Sequence, residues 1–182
     1  MKILVVEDSQ THREAAKRQL AEHEVTVVKS FVIASELLHG HEGVAVGGRT
    51  HEEYTPPLVM PAYENLLPVS FDAVLLDLNM PAEKTASCMA GGEGEVPYGF
   101  ILALRAVQCG VKYVGIITDA NHHSGPLTAA LDLICPAYWH EDENQPIFRI
   151  GETRLVIAHT PFEKGDGEVK DWERLLSHLM TS

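Results

Sequence analysis

The chain has little of what disulfide-stabilised or nucleic-acid-binding proteins are built from. Its 182 residues include three cysteines, none of them in a CxxC pair. An odd number of widely spaced cysteines favours a reducing compartment over a disulfide framework. Basic residues number 14 against 26 acidic ones, which gives a net charge of −12 with neutral histidines. Such a chain, with no basic run, repels phosphate backbones, so no nucleic-acid partner is expected.

Long apolar runs are also missing. The first one, residues 3–6, is ended by Glu7 and Asp8 and is too short for the core of a signal peptide. No stretch approaches the roughly 20 apolar residues of a membrane span. We therefore expect a cytoplasmic protein that does not contact a membrane. With 45% hydrophobic and 22% charged residues, the chain can bury a core as a single domain over residues 1–182.

Common catalytic signatures are not found either. The sequence contains no GxxxxGK[ST] nucleotide loop, no GxSxG elbow and no HExxH zinc motif. Ten histidines leave a transition-metal site open, with His122, His123, His140 and His159 as candidates. Adjacent histidines on one helix or strand point apart, however, so this alternative is the weaker one.

Short branched apolar segments alternate with longer segments that are apolar on one side. Strands are predicted at 3–6, 25–28, 71–76, 113–118 and 155–158, and helices at 10–21, 31–38, 97–109, from 124 onward and at 168–180. Repeated β-α units predict an α/β protein with a doubly wound parallel sheet and helices on both faces. Five strands favour the order 2-1-3-4-5.

Three segments interrupt this alternation. Glycine, proline and histidine are concentrated in residues 40–68, and a second Gly-rich polar stretch spans residues 82–96. Long turn-rich segments inside a compact domain are typical of insertions. Residues 136–152 are polar and aromatic, which is compatible with a loop or a β-hairpin.

Acidic side chains follow the strands that should be neighbours. Glu7 and Asp8 come after the first strand, Asp77 ends the third, and Thr118 ends the fourth. Ligands of such sheets bind at the carboxyl ends of the strands, where the strand order reverses. Crowded carboxylates raise each other's pKa, and a hard cation such as Mg²⁺ relieves the repulsion. A carboxylate there can also attack a phosphoryl group.

Four pieces of the sequence resemble the receiver domain of two-component response regulators. They are ILVVEDS at 3–9, FDAVLLDLNMP at 71–81, GF at 99–100 and IIT at 116–118. The resemblance implies that Asp77 accepts a phosphoryl group and that Thr118 is the switch hydroxyl. It also implies that Mg²⁺ is held by Glu7, Asp8, Asp77 and the backbone carbonyl of Asn79.

The end of the fifth strand departs from the family pattern. Receivers carry a lysine followed by proline there, but this chain has no lysine directly before Pro161. His159 is the candidate lysine substitute, or Thr160 in another alignment, and Lys164 lies three residues beyond the proline. A histidine would answer a phosphoryl charge only when protonated. Asp119 also stands where the family prefers a small residue, and its charge opposes a phosphoryl group.

These patterns favour a stand-alone signalling receiver, which performs only its own phosphotransfer and is not otherwise an enzyme. The resemblance implies a histidine kinase or phosphotransfer protein as the donor of the phosphoryl group and an unidentified protein as the target. A homodimer through the last two helices is compatible with the sequence. One alternative is a pseudo-receiver adaptor that has lost the switch and binds partners without phosphorylation. Separately, Asp8 and Asp77 could be ordinary acids that cap helices at strand ends. The other alternative, a metal-dependent phosphohydrolase, is disfavoured because Asn79 stands where a second acid is usual.

Overall fold

The computed structural model describes residues 1–39, 70–82, 94–119, 126–135, 145–159 and 169–181. The first predicted insertion, residues 40–68, lies outside the described residues. So do residues 83–93 of the second insertion and residues 136–144 of the third interrupting segment.

Eight strands and five helices make up the described part of the chain. The strands are β1 (Lys2–Val6), β2 (Glu24–Val28), β3 (Ala73–Asp77), β4 (Met80–Pro81), β5 (Glu95–Val96), β6 (Tyr113–Thr118), β7 (Ile147–Ile150) and β8 (Thr153–His159). The helices are α1 (Gln10–Gln19), α2 (Phe31–His39), α3 (Tyr98–Gln108), α4 (Pro126–Leu131) and α5 (Trp172–Thr181). None of these helices is long and apolar enough to cross a membrane.

The main sheet has the order β2-β1-β3-β6-β8-β7. Its first five strands are parallel, and β7 pairs antiparallel with β8 at the edge. The prediction of a doubly wound, mostly parallel α/β sheet is confirmed. The predicted five-strand order does not describe the whole sheet, because the chain forms a β7–β8 hairpin whose turn contains Gly151 at φ 59°. Of the segment 136–152, for which a loop or a hairpin was predicted, the described part contains β7, which forms a hairpin with the last parallel strand, β8.

Buried residues cover both faces of the sheet. On one face α2, α3 and α4 pack on the sheet through residues such as Ala34, Leu102 and Leu131. On the other face α1 and α5 pack through residues such as Ala16 and Leu175. All five residues of β3 are buried, as expected for a central strand covered on both sides.

The buried face of α3 differs from the one that hydrophobicity predicts. Ile101 and Leu104 belong to the most apolar stripe of this helix, yet they are 53% and 45% exposed. The helix instead buries Tyr98, Gly99, Leu102, Ala103 and Ala106. The three small residues among them let the helix approach the sheet closely.

Gly99 marks the closest approach of α3 to the end of β3. A Cβ atom built on Gly99 would lie 2.0 Å from the backbone oxygen of Asp77. The Gly99 amide donates a hydrogen bond of 3.0 Å to the Leu78 carbonyl. Only glycine fits at this contact, and the contact fixes the backbone that follows Asp77.

We expect Gly99→Ala to destabilise the protein by about 1–3 kcal/mol, because the added methyl group displaces backbone rather than a flexible side chain. Urea unfolding should measure the loss, and amide NMR shifts of residues 77–79 should change. Gly110→Ala is the matched control: its φ is 73° but its Cβ would meet nothing within 4 Å. It should cost about 1–2 kcal/mol through strain without moving those amides. Unchanged amide shifts in Gly99→Ala would refute the close contact.

Candidate functional site

The register of the sheet brings the predicted acids together. Val6 of β1 pairs with Leu76 of β3, so the next residues, Glu7 and Asp77, lie side by side at the ends of the two strands. One carboxylate oxygen each from Glu7, Asp8 and Asp77 lies within 4.8 Å of the others. Acids 70 positions apart in the chain therefore form one cluster at the carboxyl edge of the sheet, as the motifs predict.

The turn between β1 and α1 is held in place by its own side chains. Oε1 of Glu7 accepts a hydrogen bond of 2.9 Å from the Ser9 amide. The guanidinium of Arg13 donates to the backbone carbonyls of Glu7 and Asp8. Both interactions fix the backbone that carries the acidic pair, so Glu7 and Asp8 are presented from a rigid turn.

A buried lysine lies at the centre of the cluster. Nζ of Lys170 is 2.8 Å from Oε2 of Glu7 and 2.8 Å from Oδ1 of Asp77. Oδ1 of Asp119 is 4.0 Å away. Lys170 is completely buried, and Glu7 is too. One ammonium group thus faces two buried carboxylates and offsets only part of their charge.

The pKa values of these groups follow from burial and from their mutual contacts. Burial raises the pKa of Asp77 to about 7, against the lowering effect of Lys170, while Glu7 adds to the rise. Burial also raises the pKa of Glu7. Burial alone would lower the pKa of Lys170, but Asp77 and Glu7 outweigh it and raise that pKa. The lysine is therefore charged, and the acids are held in an environment that favours a second cation.

Sequence reasoning missed Lys170 because it extended the last helix back to residue 168. The helix begins at Trp172 instead, and Oδ1 of Asp171 accepts a hydrogen bond of 2.9 Å from the Arg174 amide. Aspartate is a favoured N-cap, and this signal could have moved the predicted start forward. Lys170 then lies two residues before α5, and its ammonium contacts Glu7 and Asp77 at the carboxyl edge of the sheet.

Around the cluster lies a cavity of about 320 Å³, which we call the acidic pocket. It is lined by Glu7, Asp8, Ser9, His12, Asp77, Asn79, Glu95, Asp119 and Lys170. Glu95 reaches the pocket because β5 pairs with β4 directly after the Asp77 segment. Nε2 of His12 is 3.5 Å from Oδ2 of Asp119, and burial lowers the pKa of His12. Acidic groups therefore outnumber the single lysine in this pocket.

Thr118 and His159 end neighbouring strands and are paired in register. Thr118 is buried, and the residue before it, Ile117, pairs with Asp77. Nε2 of His159 lies 3.5 Å from Oδ1 of Asp132, in the turn after α4. Neither side chain is among the described residues that line the acidic pocket. Among the described residues, the cation that contacts Asp77 is Lys170, whereas His159 contacts Asp132.

The donor set fits Mg²⁺ better than a transition metal. Asp8 and Asp77 offer carboxylate oxygens, and Asn79 lines the same pocket. Mg²⁺ prefers one or two carboxylates, a carbonyl oxygen and several waters. Both oxygens of Glu7 accept hydrogen bonds, one from the Ser9 amide and one from the Lys170 ammonium, and Oδ1 of Asp77 also lies against that ammonium. Glu7, Asp8 and Asp77 each offer one oxygen to a common ion.

Receiver domains are among the solved structures that are similar to this chain. The non-phosphorylated HemR receiver domain from Leptospira biflexa is 18% identical, with coverage of 100% of this chain and 94% of that one at a TM-score of 0.47. A CheY-like receiver domain from Methylobacillus flagellatus is 13% identical over 98% of each chain, with a TM-score of 0.42. The similarity is distant in both cases.

A third similar structure comes from a larger protein. It is the N-terminal domain of a response regulator/sensory box/GGDEF protein from Carboxydothermus hydrogenoformans, 16% identical over 72% of this chain and 74% of that one, with a TM-score of 0.41. No family model and no curated protein matches the sequence.

We expect Lys170→Met to lower the free energy of unfolding by about 3 kcal/mol, because it leaves two buried carboxylates without their counter-charge. Urea unfolding at neutral pH should measure this loss. Adding Asp77→Asn to Lys170→Met should restore part of it, since one of the two unpaired charges is then gone.

Lys17→Met is the control for this experiment. Lys17 is exposed on α1, so its replacement should change stability by no more than about 0.5 kcal/mol. Equal stabilities of the Lys170→Met and Lys17→Met variants would contradict the buried ion pairs.

Proposed function

We propose that this chain is a receiver-type signalling domain that accepts a phosphoryl group on Asp77 with the help of Mg²⁺. The observation that carries the proposal is the position of Lys170, whose ammonium lies 2.8 Å from Asp77. A nucleophilic carboxylate, an adjacent acid and a fixed ammonium are the groups that phosphoryl transfer to an aspartate requires.

Asp77 is the nucleophile in this proposal. A carboxylate oxygen of Asp77 attacks the phosphorus of a phosphodonor, the bond from phosphorus to the donor breaks, and the donor leaves with the electron pair and is protonated there. The product is an acyl phosphate on Asp77. The Gly99 contact holds the backbone after Asp77, which limits the motion of the attacking group.

Lys170 neutralises the charge that arrives with the phosphoryl group. Its ammonium already contacts Asp77, so a phosphoryl oxygen bound there comes within its reach. Being buried, the lysine interacts more strongly than it would in water. In this assignment Lys170 fills the role that the resemblance gives to a lysine at the end of the last parallel strand.

Glu7, Asp8, Asp77 and the carbonyl of Asn79 would hold Mg²⁺. When bound, Mg²⁺ neutralises the carboxylates and the transferring phosphoryl group. Thr118, at the end of the neighbouring strand, is proposed as the hydroxyl that donates to a phosphoryl oxygen after a local rearrangement. The phosphodonor is then a histidine kinase or a phosphotransfer protein, and the output is contact with another protein.

The direct test is incubation with acetyl phosphate and Mg²⁺ followed by intact mass spectrometry. We expect the wild-type protein to gain one phosphoryl group and Asp77→Asn to gain none, because the amide is not a nucleophile. Chelation of Mg²⁺ with EDTA should abolish the reaction, and Asp8→Asn should weaken Mg²⁺ binding.

Beryllofluoride provides a second reading of the same site, since it mimics the bound phosphoryl group without turnover. Adding beryllofluoride should change the NMR shifts of the wild-type protein and leave those of Asp77→Asn unchanged. If wild type and Asp77→Asn respond alike in both experiments, the signalling proposal is wrong, and the phosphorylation-independent adaptor would replace it.

Asp119 should limit the extent of phosphorylation. Its carboxylate lies 4.0 Å from the lysine ammonium and is 47% exposed in the acidic pocket, so it competes with a phosphoryl group for the same positive charge. We expect Asp119→Asn to increase the rate of phosphorylation by acetyl phosphate several-fold, because like-charge repulsion is removed. The rate of phosphate incorporation measures the effect.

Glu152→Gln removes the same charge from an exposed residue in the β7–β8 turn and serves as the control. Its phosphorylation rate should equal that of the wild type. A rate for Asp119→Asn that is unchanged or lower than wild type would show that Asp119 does not oppose the reaction.

A further inference from the structure

The segment that carries Lys170 is attached to helix α1. Lys170 and Trp172, the latter being the first residue of α5, make four hydrogen bonds to two side chains and one carbonyl of α1. Lys170 and Trp172 are both completely buried. The position of the lysine therefore depends on a helix that is distant in sequence, in addition to the strand that precedes it.

Gln19 makes two of these bonds with one side-chain amide. Its Nε2 donates to the Lys170 carbonyl at 3.1 Å, and its Oε1 accepts from the Trp172 amide at 2.8 Å. The two bonds bracket Asp171 and fix the backbone on both sides of it. A side chain without both a donor and an acceptor cannot replace this pair of bonds.

His12 and Trp172 make the remaining two bonds. Nδ1 of His12 accepts from the Lys170 amide at 3.4 Å, and Nε1 of Trp172 donates to the His12 carbonyl at 3.1 Å. The ammonium of Lys170 lies 5.9 Å from the centre of the Trp172 ring, within range of a cation–π contact. The start of α5 and the lysine are thus held against α1 as one unit.

A lysine needs such support because its side chain is long and flexible. Four rotatable bonds connect its ammonium to the backbone, so a small shift of the backbone moves the charge relative to Asp77. Misplacement of a catalytic group by about 1 Å can lower a rate by up to roughly 100-fold. The backbone of residue 170 must therefore be fixed if its ammonium is to meet Asp77 and Glu7 at 2.8 Å.

We propose that Gln19 is a positioning residue for phosphoryl transfer, acting by fixing the backbone of Lys170. This inference rests on the proposed function of Asp77. Gln19 lies outside the acidic pocket as the described residues define it, and its Nε2 contacts the Lys170 backbone directly, so its proposed effect on the reaction passes through the lysine.

The test compares acetyl phosphate labelling of wild type, Gln19→Leu and Gln19→Glu. Leucine removes both bonds, whereas glutamate can still accept from the Trp172 amide but cannot donate to the Lys170 carbonyl. We expect about a tenfold lower labelling rate for Gln19→Leu and a smaller loss for Gln19→Glu. Mg²⁺ affinity, measured by calorimetry, should stay within twofold of wild type, since Asp8 and Asp77 are untouched.

A double-mutant cycle separates positioning from general destabilisation. If Gln19 acts through Lys170, then adding Gln19→Leu to Lys170→Met should cause no further loss of labelling rate. An additive further loss would instead indicate a role independent of the lysine and would overturn the inference. Lys17→Leu, on the exposed side of α1, should label at the wild-type rate.

The outcomes also distinguish this inference from the proposed function. Failure of wild type to label overturns both. Wild-type labelling together with a wild-type rate in either folded Gln19 variant overturns the positioning role alone. Should Gln19→Leu fail to fold, the rate of Gln19→Glu decides, because that variant retains the bond to α5.

Discussion

One buried ammonium group, that of Lys170, determines how the functional edge of this protein is organised. It lies 2.8 Å from both Glu7 and Asp77 and is itself without solvent exposure. Removing three charged groups from water is costly, and the cost is offset only when the pairing geometry is tight. The Ser9 amide, the hydrogen bonds from α1 and the Gly99 contact are all means of keeping that geometry.

The same arrangement explains why the site suits a reaction that adds charge. Burial raises the pKa of Asp77 to about 7, which shows how little the surroundings favour its charged form. A cation bound beside Asp8 would complete the neutralisation that Lys170 only begins. Asp119 acts in the opposite sense, since it places a further negative group 4.0 Å from the ammonium. In the proposed function, the balance between these charges governs whether Asp77 accepts a phosphoryl group.

Much of the fold was predictable because hydrophobic patterns are local. The alternation of short apolar strands with amphipathic helices predicted the parallel sheet. It also predicted that Glu7, Asp8 and Asp77 lie at one edge of that sheet. The errors arose where contacts outweigh hydrophobicity. In α3 the buried face includes Gly99, where the helix lies closest to β3, and Ile101 is left exposed. The edge strand β7 had no clear pattern, since its burial is only partial.

The sequence by itself determined the acids of the site, because they directly follow strands whose order is set by the β-α alternation. It did not determine the lysine. Lys170 lies between β8 and α5, where no strand or helix pattern in the sequence indicates its place. Hydrogen bonds from α1 place residue 170 at the carboxyl edge, over a separation of more than 150 positions. Such long-range hydrogen bonds produce no periodic pattern in the sequence, so only the tertiary structure decides which basic side chain contacts Asp77.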